Sequence, residues 1–339
     1  MHRVYDIAVL LPCYNEAITI ADVVRDFRTA LPNARIYVFD NASTDDTARV
    51  AREAGATVLY EPRKGKGNVV RRMFSEIEAD IYVMADGDST YDPSAAPKLI
   101  EALITSRSDM AVGTRMNVRQ DAGRRGHAFG NALFNRAYSW LFGKDYSDIF
   151  SGYRVFSRRF VKSFPALSTG FETETEMSVF ASQLRLPTVE MELPYGKRPE
   201  GSTSKLSSIR DGLRILGTFM ILFKTIRPKT FFGIFAGAAA MASLVLAAPL
   251  LTEYLATGLV PRLPTAILCT GLMLTALLLM CCGLIMGAIT RAQAENMRLF
   301  YLSNAATRPD HQEEAHNVEW SDLEKLAPLP VGGERRVSG

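Results

Sequence analysis

The chain is poor in histidine, cysteine and tryptophan, and these shortages exclude several kinds of site. Its 339 residues include four histidines, four cysteines and two tryptophans. So few histidines argue against a histidine-ligated zinc site. Three of the cysteines lie in apolar stretches near the carboxyl end, and none belongs to a paired metal motif. We therefore expect the amino-terminal region to be free of disulfides and to face the cytosol.

Charge is absent from two stretches of the carboxyl-terminal part, Phe231–Leu251 and Ala266–Ile289. Each is long enough for a helix that crosses a bilayer core, which needs about 20 apolar residues. Positive residues precede the first stretch and follow the second, namely Arg227, Lys229, Arg291 and Arg298. Because positive residues favour the cytosolic side, we expect an integral membrane protein, most simply of a bacterial inner membrane, with both ends of the helix pair in the cytosol.

These shifts in composition divide the chain into four parts. We predict a folded domain over residues 1–200, a juxtamembrane amphipathic segment over 201–230, a two-helix transmembrane module over 231–290 and a largely mobile cytosolic tail over 291–339. The juxtamembrane segment is basic and repeats apolar residues at near-helical spacing, which is typical of a helix on a membrane surface. The tail is rich in proline, glycine and charge, which is typical of mobile segments.

The first part alternates short apolar runs with helical patterns. The predicted strands are Ile7–Leu11, Ile36–Asp40, Thr57–Tyr60, Ile81–Asp86 and Met110–Gly113. The predicted helices are Ile18–Ala30, Thr44–Ala54, Asn68–Glu78 and Pro97–Ile104. Such alternation indicates an α/β fold with a mostly parallel sheet flanked by helices. In such sheets, ligands bind beyond the carboxyl ends of the strands.

Asp86-Gly87-Asp88 follows the fourth predicted strand and is the strongest candidate site. On an extended segment its two carboxylates point to one side, and Gly87 permits a close approach of a ligand. Carboxylate oxygens suit Mg²⁺ or Mn²⁺ held against a diphosphate, and Thr90 adds a further oxygen. The competing interpretation is a solvated surface turn, which the position after a buried strand disfavours.

Other polar residues follow the remaining strands. Asp40 and Asn41 are candidates to bind a base or ribose, although the same residues also suit a simple strand–turn–helix corner. Gly65-Lys66-Gly67 lacks the spacing of a P-loop, but Lys66 could still approach a phosphate. Arg115 and the pair Arg124-Arg125 are candidate phosphate contacts. Each arginine by itself would more often be a solvated side chain.

Seven motifs occur in order along the chain: Leu11–Glu16, Asp40–Asp45, Lys64–Gly67, Asp86–Asp88, Asp148–Arg154, Gly170–Glu172 and Arg198–Lys205. Together they resemble the family 2 glycosyltransferases of the polyprenyl-phosphate group, which is dolichyl-phosphate mannose synthase-like. The resemblance covers about residues 5–230. It implies a GT-A-type domain that binds a nucleotide-sugar and a divalent cation.

The resemblance also implies roles for individual residues. The nucleotide-sugar would be surrounded by Pro12, Tyr14, Asn15, Glu16, Asp40, Asn41, Lys66, Gly67, Asp86, Gly87 and Asp88. The metal ligands would be Asp86, Asp88 and Thr90, although some relatives carry glutamine at the last position. The donor and acceptor phosphates would be faced by Arg115, Arg125, Arg198 and Lys205. The sugar and acceptor site would be shaped by Asp148, Ser151 and Gly152, and closed by the acidic stretch from Glu172 to Glu176.

The predicted reaction is an inverting, metal-dependent transfer of a sugar from a nucleotide-sugar to a polyprenyl phosphate at the cytosolic membrane face. Two alternatives stay open: another lipid acceptor such as diacylglycerol, and a non-catalytic membrane-anchored protein that binds a nucleotide-sugar. A processive polysaccharide synthase would carry a Gln-x-x-Arg-Trp motif, whereas neither Trp140 nor Trp320 follows an arginine. We expect no nucleic-acid partner, and a homo-oligomer stays open.

Overall fold

A computed structural model describes residues 5–115, 146–170, 172–196, 220–221 and 223–305 of the chain. The strands are β1 Ile7–Cys13, β2 Arg35–Asp40, β3 Thr57–Tyr60, β4 Ile81–Met84, β5 Met110–Arg115, β6 Arg154–Ser157 and β7 Thr188–Leu193. The helices are α1 Ile20–Ala30, α2 Thr47–Glu53, α3 Lys66–Glu76, α4 Ala96–Thr105, α5 Arg158–Ser163, α6 Thr173–Gln183, α7 Pro228–Thr257 and α8 Leu263–Ser303.

The seven strands form one sheet in the order β3-β2-β1-β4-β6-β5-β7. Strand β6 runs antiparallel to both of its neighbours, β4 and β5. The other paired strands are parallel. This confirms the predicted fold class, a mostly parallel sheet flanked by helices. Because β6 runs backwards, the loop that precedes it enters the sheet at the edge where β4 and β5 end.

Side chains of β1 alternate between the two faces of the sheet and build a core on each. Ala8 and Leu10 belong to the core that contains residues of α3, α5 and α6. Val9 and Leu11 belong to the opposite core, with residues of α1 and α4. This two-residue alternation follows from the pleat of a strand. A strand buried on both faces has a continuous apolar sequence, and β1 has this pattern.

Two element boundaries differ from prediction in ways that matter for the site. Strand β4 ends at Met84, so Asp86 lies in the following loop and not in the strand. Helix α3 begins at Lys66, two residues before the predicted start. Gly65 precedes it with a φ of +126°, a conformation that glycine adopts readily. Lys66 is therefore fixed at the first position of a helix.

Helices α7 and α8 contain the two predicted spans, and both are long and apolar enough to cross a membrane. Only 6% and 11% of the residues in their most apolar windows are buried, so their apolar side chains face outwards. Ser243 of α7 donates a hydrogen bond to the Cys269 carbonyl of α8 at 2.8 Å, which joins the pair. Apolar surface of this extent is stable in a bilayer and costly in water.

Both helices extend beyond the predicted membrane module of residues 231–290. Helix α7 begins at Pro228, inside the predicted juxtamembrane segment, most of which lies outside the described residues. Helix α8 continues to Ser303, so residues 291–303 are helical and do not belong to a mobile tail. The physical reason is tertiary: Met297 and Tyr301 pack against a core of the α/β domain.

Candidate active site

The loops after β1 and β2 are joined by hydrogen bonds at the carboxyl edge of the sheet. The Asn41 amide donates to the Cys13 carbonyl at 2.8 Å. The Asn15 amide donates to the Ser43 hydroxyl at 3.0 Å, and the Asn15 side-chain oxygen accepts from the Thr44 amide at 2.8 Å. The structure therefore brings together Tyr14–Glu16 and Asp40-Asn41, as expected for loops at one edge of a parallel sheet.

Asn41 links this pair of loops to the start of α3. Its side-chain nitrogen donates to the carbonyls of Glu61 and Arg63 at 3.1 and 2.7 Å. Its side-chain oxygen accepts from the Gly65 amide at 2.7 Å. Asn41 is buried, so these bonds fix the backbone that presents Lys66. Asn41 therefore stabilises the loop between β3 and α3. This is a structural role, of the kind expected for a residue at a strand–turn–helix corner.

The Asp86–Thr90 turn is packed tightly at the same edge. Asp88 is 2% exposed, and its Oδ1 accepts from the Thr90 amide at 3.1 Å and the Thr90 hydroxyl at 2.5 Å. The Asp86 side chain is 29% exposed and is the more accessible carboxylate. A Cβ at Gly87 would clash with the Cys13 sulfur, so any other residue at this position would displace either Cys13 or the turn.

Lys66 lies in a buried ion cluster with two carboxylates. Its Nζ is 2.5 Å from Asp86 Oδ1 and 2.5 Å from Glu174 Oε1. Burial by itself would lower the pKa of the Lys66 ammonium, but the two carboxylates outweigh burial and raise that pKa. Lys66 therefore keeps its proton at neutral pH. Glu174 comes from the first turn of α6, and no motif had identified it as the partner of Lys66.

Negative charge converges on the end of β1. Burial raises the pKa of the Cys13 thiol well above its usual value, and the carboxylates of Glu16, Asp86, Asp40 and Asp88 raise it further. In addition, Glu174 Oε2 is buried without a hydrogen-bond partner among the described residues. A site with this excess of carboxylate oxygen favours a cation.

The oxygen donors of the turn fit a hard divalent cation. Asp86 and Asp88 offer carboxylates and Thr90 a hydroxyl, the ligand types that Mg²⁺ and Mn²⁺ prefer. Within the described part of the chain, no group of three or more histidine, cysteine, aspartate or glutamate side chains could hold a metal. Two carboxylates are enough for Mg²⁺, because this ion usually completes its shell with water and substrate phosphates.

Arg115 and Asp148 form a bidentate ion pair at the end of β5. Arg115 Nε lies 2.6 Å from Asp148 Oδ2, and Arg115 Nη2 lies 2.8 Å from Asp148 Oδ1. The guanidinium also lies 5.4 Å from the centre of the Tyr195 ring. Burial alone would lower the pKa of Arg115, but the bonds to Asp148 raise it, so the charge is permanent. The pair holds both predicted residues in one orientation.

Arg154, the first residue of β6 and the last residue of the Asp148–Arg154 motif, positions the loop that precedes this strand. Arg154 is fully buried and donates to the carbonyls of Ser151 and Ile149 at 2.9 and 2.8 Å. The Ser151 hydroxyl is itself buried and donates to the Gly113 carbonyl at 2.5 Å. Ser151 therefore shapes this loop and presents no free hydroxyl to a cleft. An arginine at the start of a buried strand was the available signal for Arg154.

Some of the remaining predicted residues lie within the described part of the chain, and others lie outside it. Pro12 lies in β1, Gly67 in α3, and Tyr14 has the Lys64 ammonium 5.0 Å from its ring centre. Arg125, its neighbour Arg124, Arg198 and Lys205 lie outside the described residues.

Known proteins with similar sequences point to one family. The model of the family described as "Glycosyl transferase family 2" matches residues 8–164. The chain is 34% identical to glycosyltransferase AglJ of Haloferax volcanii, over 86% of this chain and 96% of that protein. It is 59% identical to protein RfbJ of Shigella flexneri, over 38% of this chain and 99% of that protein.

The fold has solved counterparts. A glucosyl-3-phosphoglycerate synthase from Mycobacterium tuberculosis aligns with a TM-score of 0.53 and 22% identity, over 64% of this chain and 79% of that one. Its structure holds Mn²⁺, uridine-diphosphate-glucose and phosphoglyceric acid. At this identity the likeness shows a common fold, and the family assignment rests on the sequence matches. By the family match over most of the sheet and by its identity to AglJ along most of its length, the chain belongs to glycosyl transferase family 2.

Proposed function

We propose that this protein transfers a hexose from a nucleotide-sugar to a polyprenyl phosphate at the cytosolic face of a membrane. The observation that carries the proposal is the joining of two features in one chain. A cluster of carboxylates suited to a metal–diphosphate lies on a domain that is attached to two long helices with exposed apolar surfaces. Such helices suit an acceptor that stays in the bilayer, since each exposed CH₂ of a lipid costs about 0.8 kcal/mol.

Two relatives support the choice of sugar and acceptor. The chain is 26% identical to a dolichyl-phosphate hexose transferase of Haloferax volcanii, over 62% of this chain and 90% of that protein. It is 32% identical to the low-salt glycan biosynthesis hexosyltransferase Agl6 of the same organism, over 61% of this chain and 51% of that protein. Uridine-diphosphate-glucose and Mn²⁺ in the similarly folded synthase support a nucleotide-sugar donor and a divalent cation.

The proposed reaction needs no strong general base. The second ionisation of a phosphate monoester lies near pH ~6, so the acceptor is largely dianionic at neutral pH. One acceptor oxygen forms a bond to the anomeric carbon while the bond from that carbon to the donor diphosphate breaks. The nucleoside diphosphate leaves with the electron pair, and the anomeric configuration inverts. A divalent cation bound at Asp86 and Asp88 would offset charge on this leaving group.

The protein's own residues supply fixed charge and alignment. Lys66 holds its proton beside Asp86, and so provides a permanent positive charge at the carboxyl edge of the sheet. Arg115 is held by Asp148 at the end of β5 and provides a second permanent positive charge at this edge. Charges that are already oriented need no rearrangement as the reaction proceeds, which is an efficient way to stabilise a transition state.

A panel of nucleotide-sugars tests the proposal. The full-length protein in detergent is incubated with Mn²⁺, each donor in turn, and either polyprenyl phosphate or diacylglycerol. We expect one donor to give a polyprenyl-phosphate hexose, identified by its mass, and EDTA to abolish the product. Product from diacylglycerol alone would contradict the choice of acceptor. Tight nucleotide binding without any lipid product would indicate a non-catalytic sugar-nucleotide-binding protein.

The Gly87 contact gives a prediction of its own. Gly87→Ala would place a Cβ against Cys13 Sγ at less than van der Waals distance, so either the buried Cys13 side chain or the turn that carries Asp86 and Asp88 has to shift. Overpacking of this kind costs about 1–3 kcal/mol, and we expect about tenfold weaker binding of nucleoside diphosphate with Mn²⁺. Cys13→Ala removes the sulfur and should restore affinity in the double variant. Calorimetric titration measures all three variants, and an unaltered affinity for Gly87→Ala would contradict the steric argument.

A further inference from the structure

The end of α8 extends well beyond any membrane and reaches the α/β domain. The helix has 41 residues, which corresponds to a length of about 60 Å, roughly twice the thickness of a bilayer core. Its charge-free part ends at Thr290, and the charged residues Arg291, Glu295 and Arg298 follow. One continuous helix therefore connects the apolar module to the folded domain.

Tyr301, near the end of α8, is inserted into the domain. It is 3% exposed and belongs to the core that α3, α5 and α6 share. Its hydroxyl donates to Asp109 Oδ2 at 2.6 Å. The guanidinium of Arg159 lies 4.1 Å from its ring centre and is paired with the same Asp109 carboxylate at 3.0 Å. A buried hydroxyl bonded to a carboxylate is a directional and strong contact.

Asp109 is itself fixed rigidly within the sheet. Its amide donates to the Pro187 carbonyl at 2.9 Å, and its carbonyl accepts from the Ser157 amide at 3.0 Å. Its Oδ1 accepts from the Ser157 hydroxyl at 2.7 Å. Tyr301 is therefore bonded to a residue that the backbone of the sheet already holds in place, so the domain offers α8 a rigid attachment point.

The elements that α8 touches have their opposite ends at the candidate active site. Asp109 immediately precedes β5, and Arg115 ends it, about 20 Å away at the rise of a strand. Arg298 of α8 donates at 3.0 Å to the carbonyl of Leu184, which caps the end of α6. Glu174, the partner of Lys66, lies in the first turn of that same helix. Helix α8 is thus attached to two elements whose other ends carry site residues, so the direction of α8 is related rigidly to the position of the site.

We propose that Tyr301, assisted by Arg298, is a positioning residue that locks the catalytic domain onto the membrane helices. The lock sets the orientation of the active site relative to the bilayer, so that a lipid-borne phosphate meets the donor. This inference rests on the proposed function for its acceptor. Without the Tyr301 contact, the domain would be attached to the membrane helices mainly through the start of α7 and could rotate about that connection. The lipid-borne phosphate would then meet the donor in the reactive orientation less often.

The test compares two acceptors in the full-length protein reconstituted in lipid nanodiscs. Tyr301→Ala should lower transfer to long-chain polyprenyl phosphate in the bilayer by about tenfold, the factor expected for loss of a hydrogen bond to a charged group. Transfer to a short, water-soluble prenyl phosphate and Mn²⁺-dependent binding of nucleoside diphosphate should stay unchanged. Phe300→Ala is the matched control, because this neighbouring aromatic side chain is 69% exposed. It should leave all three measurements unchanged.

Hydrogen exchange supplies a second measurement that does not depend on transfer. In Tyr301→Ala, the amides of residues 297–303 and of α5 should exchange faster than in the unaltered protein. Should Tyr301→Ala fail to fold, Arg298→Met loses the bond to Leu184 and should show the same pattern to a smaller degree. Equal loss with both acceptors, or no loss with either, would overturn the inference. If the unaltered protein used neither acceptor, the proposed function would fail, and unchanged exchange in Tyr301→Ala would then overturn the lock separately.

Discussion

Replacing Asp88 with asparagine should lower the rate of sugar transfer by about 10²–10³-fold, the usual loss when one group that stabilises a developing charge is removed. The expected cause is a lower affinity for the divalent cation, because the amide oxygen of asparagine carries no formal charge. Asparagine keeps an acceptor for the Thr90 amide and hydroxyl, so the turn should persist. Transfer is measured over a range of Mn²⁺ concentrations, and the half-saturating concentration should rise.

The chain contains a well-matched control for this substitution. Asp92 accepts from the Ser94 amide through Oδ1 at 2.9 Å and from the Ser94 hydroxyl through Oδ2 at 2.7 Å, much as Asp88 accepts from the amide and hydroxyl of Thr90 through Oδ1. Asp92 is exposed and lies outside the carboxylate cluster around Cys13. Asp92→Asn should therefore leave transfer and Mn²⁺ dependence unchanged. Unreduced turnover of a folded, metal-saturated Asp88→Asn protein would refute the assignment of Asp88 as a metal ligand.

Replacing Lys66 with methionine should destabilise the α/β domain by about 3–5 kcal/mol, the typical cost of leaving buried charges without their partner. Lys66 contacts both Asp86 and Glu174 at 2.5 Å, and its side chain is largely buried. For a domain of this size we expect a melting temperature lower by about 10 °C. Circular dichroism of the protein in detergent measures the shift.

Two further variants separate charge from packing. Glu174→Gln in the Lys66→Met background removes one of the two orphaned charges and should recover part of the lost stability. Lys64→Met changes a neighbouring but exposed lysine and should shift the melting temperature little. A Lys66→Met protein as stable as the parent would show that the ion cluster does not stabilise the fold.

The pH dependence of this cluster follows from the direction of its pKa shift. The pKa of Lys66 is higher in the folded protein than in the unfolded chain, because the bonds to Asp86 and Glu174 outweigh burial. A raised pKa contributes stability that is present in full below the unfolded value of 10.5, and is lost as the pH rises through the folded value. Changes of pH near neutrality should therefore leave the contribution of Lys66 unaltered.

Much of the sheet was predictable because its signals are local. Strands such as β1 and β2 are apolar runs that end at polar loops, and the spacing between such runs sets the helices. The antiparallel strand β6 and the edge strand β7 were not predicted. Strand β6 starts with the buried Arg154, and β7 alternates partly buried residues with glutamates, so neither reads as a fully apolar run.

Local patterns in the sequence were enough to predict the α/β class, the Asp86-Gly87-Asp88 motif after a buried strand and two helices suited to a membrane. All of these depend on residues close together in the chain, whose periodicity or composition carries the information. Three features became visible in the folded protein alone: Lys66 pairs with Glu174, Ser151 is buried, and Tyr301 reaches Asp109 across 192 positions. Contacts between such distant residues depend on how complete elements pack, and no local pattern encodes that packing.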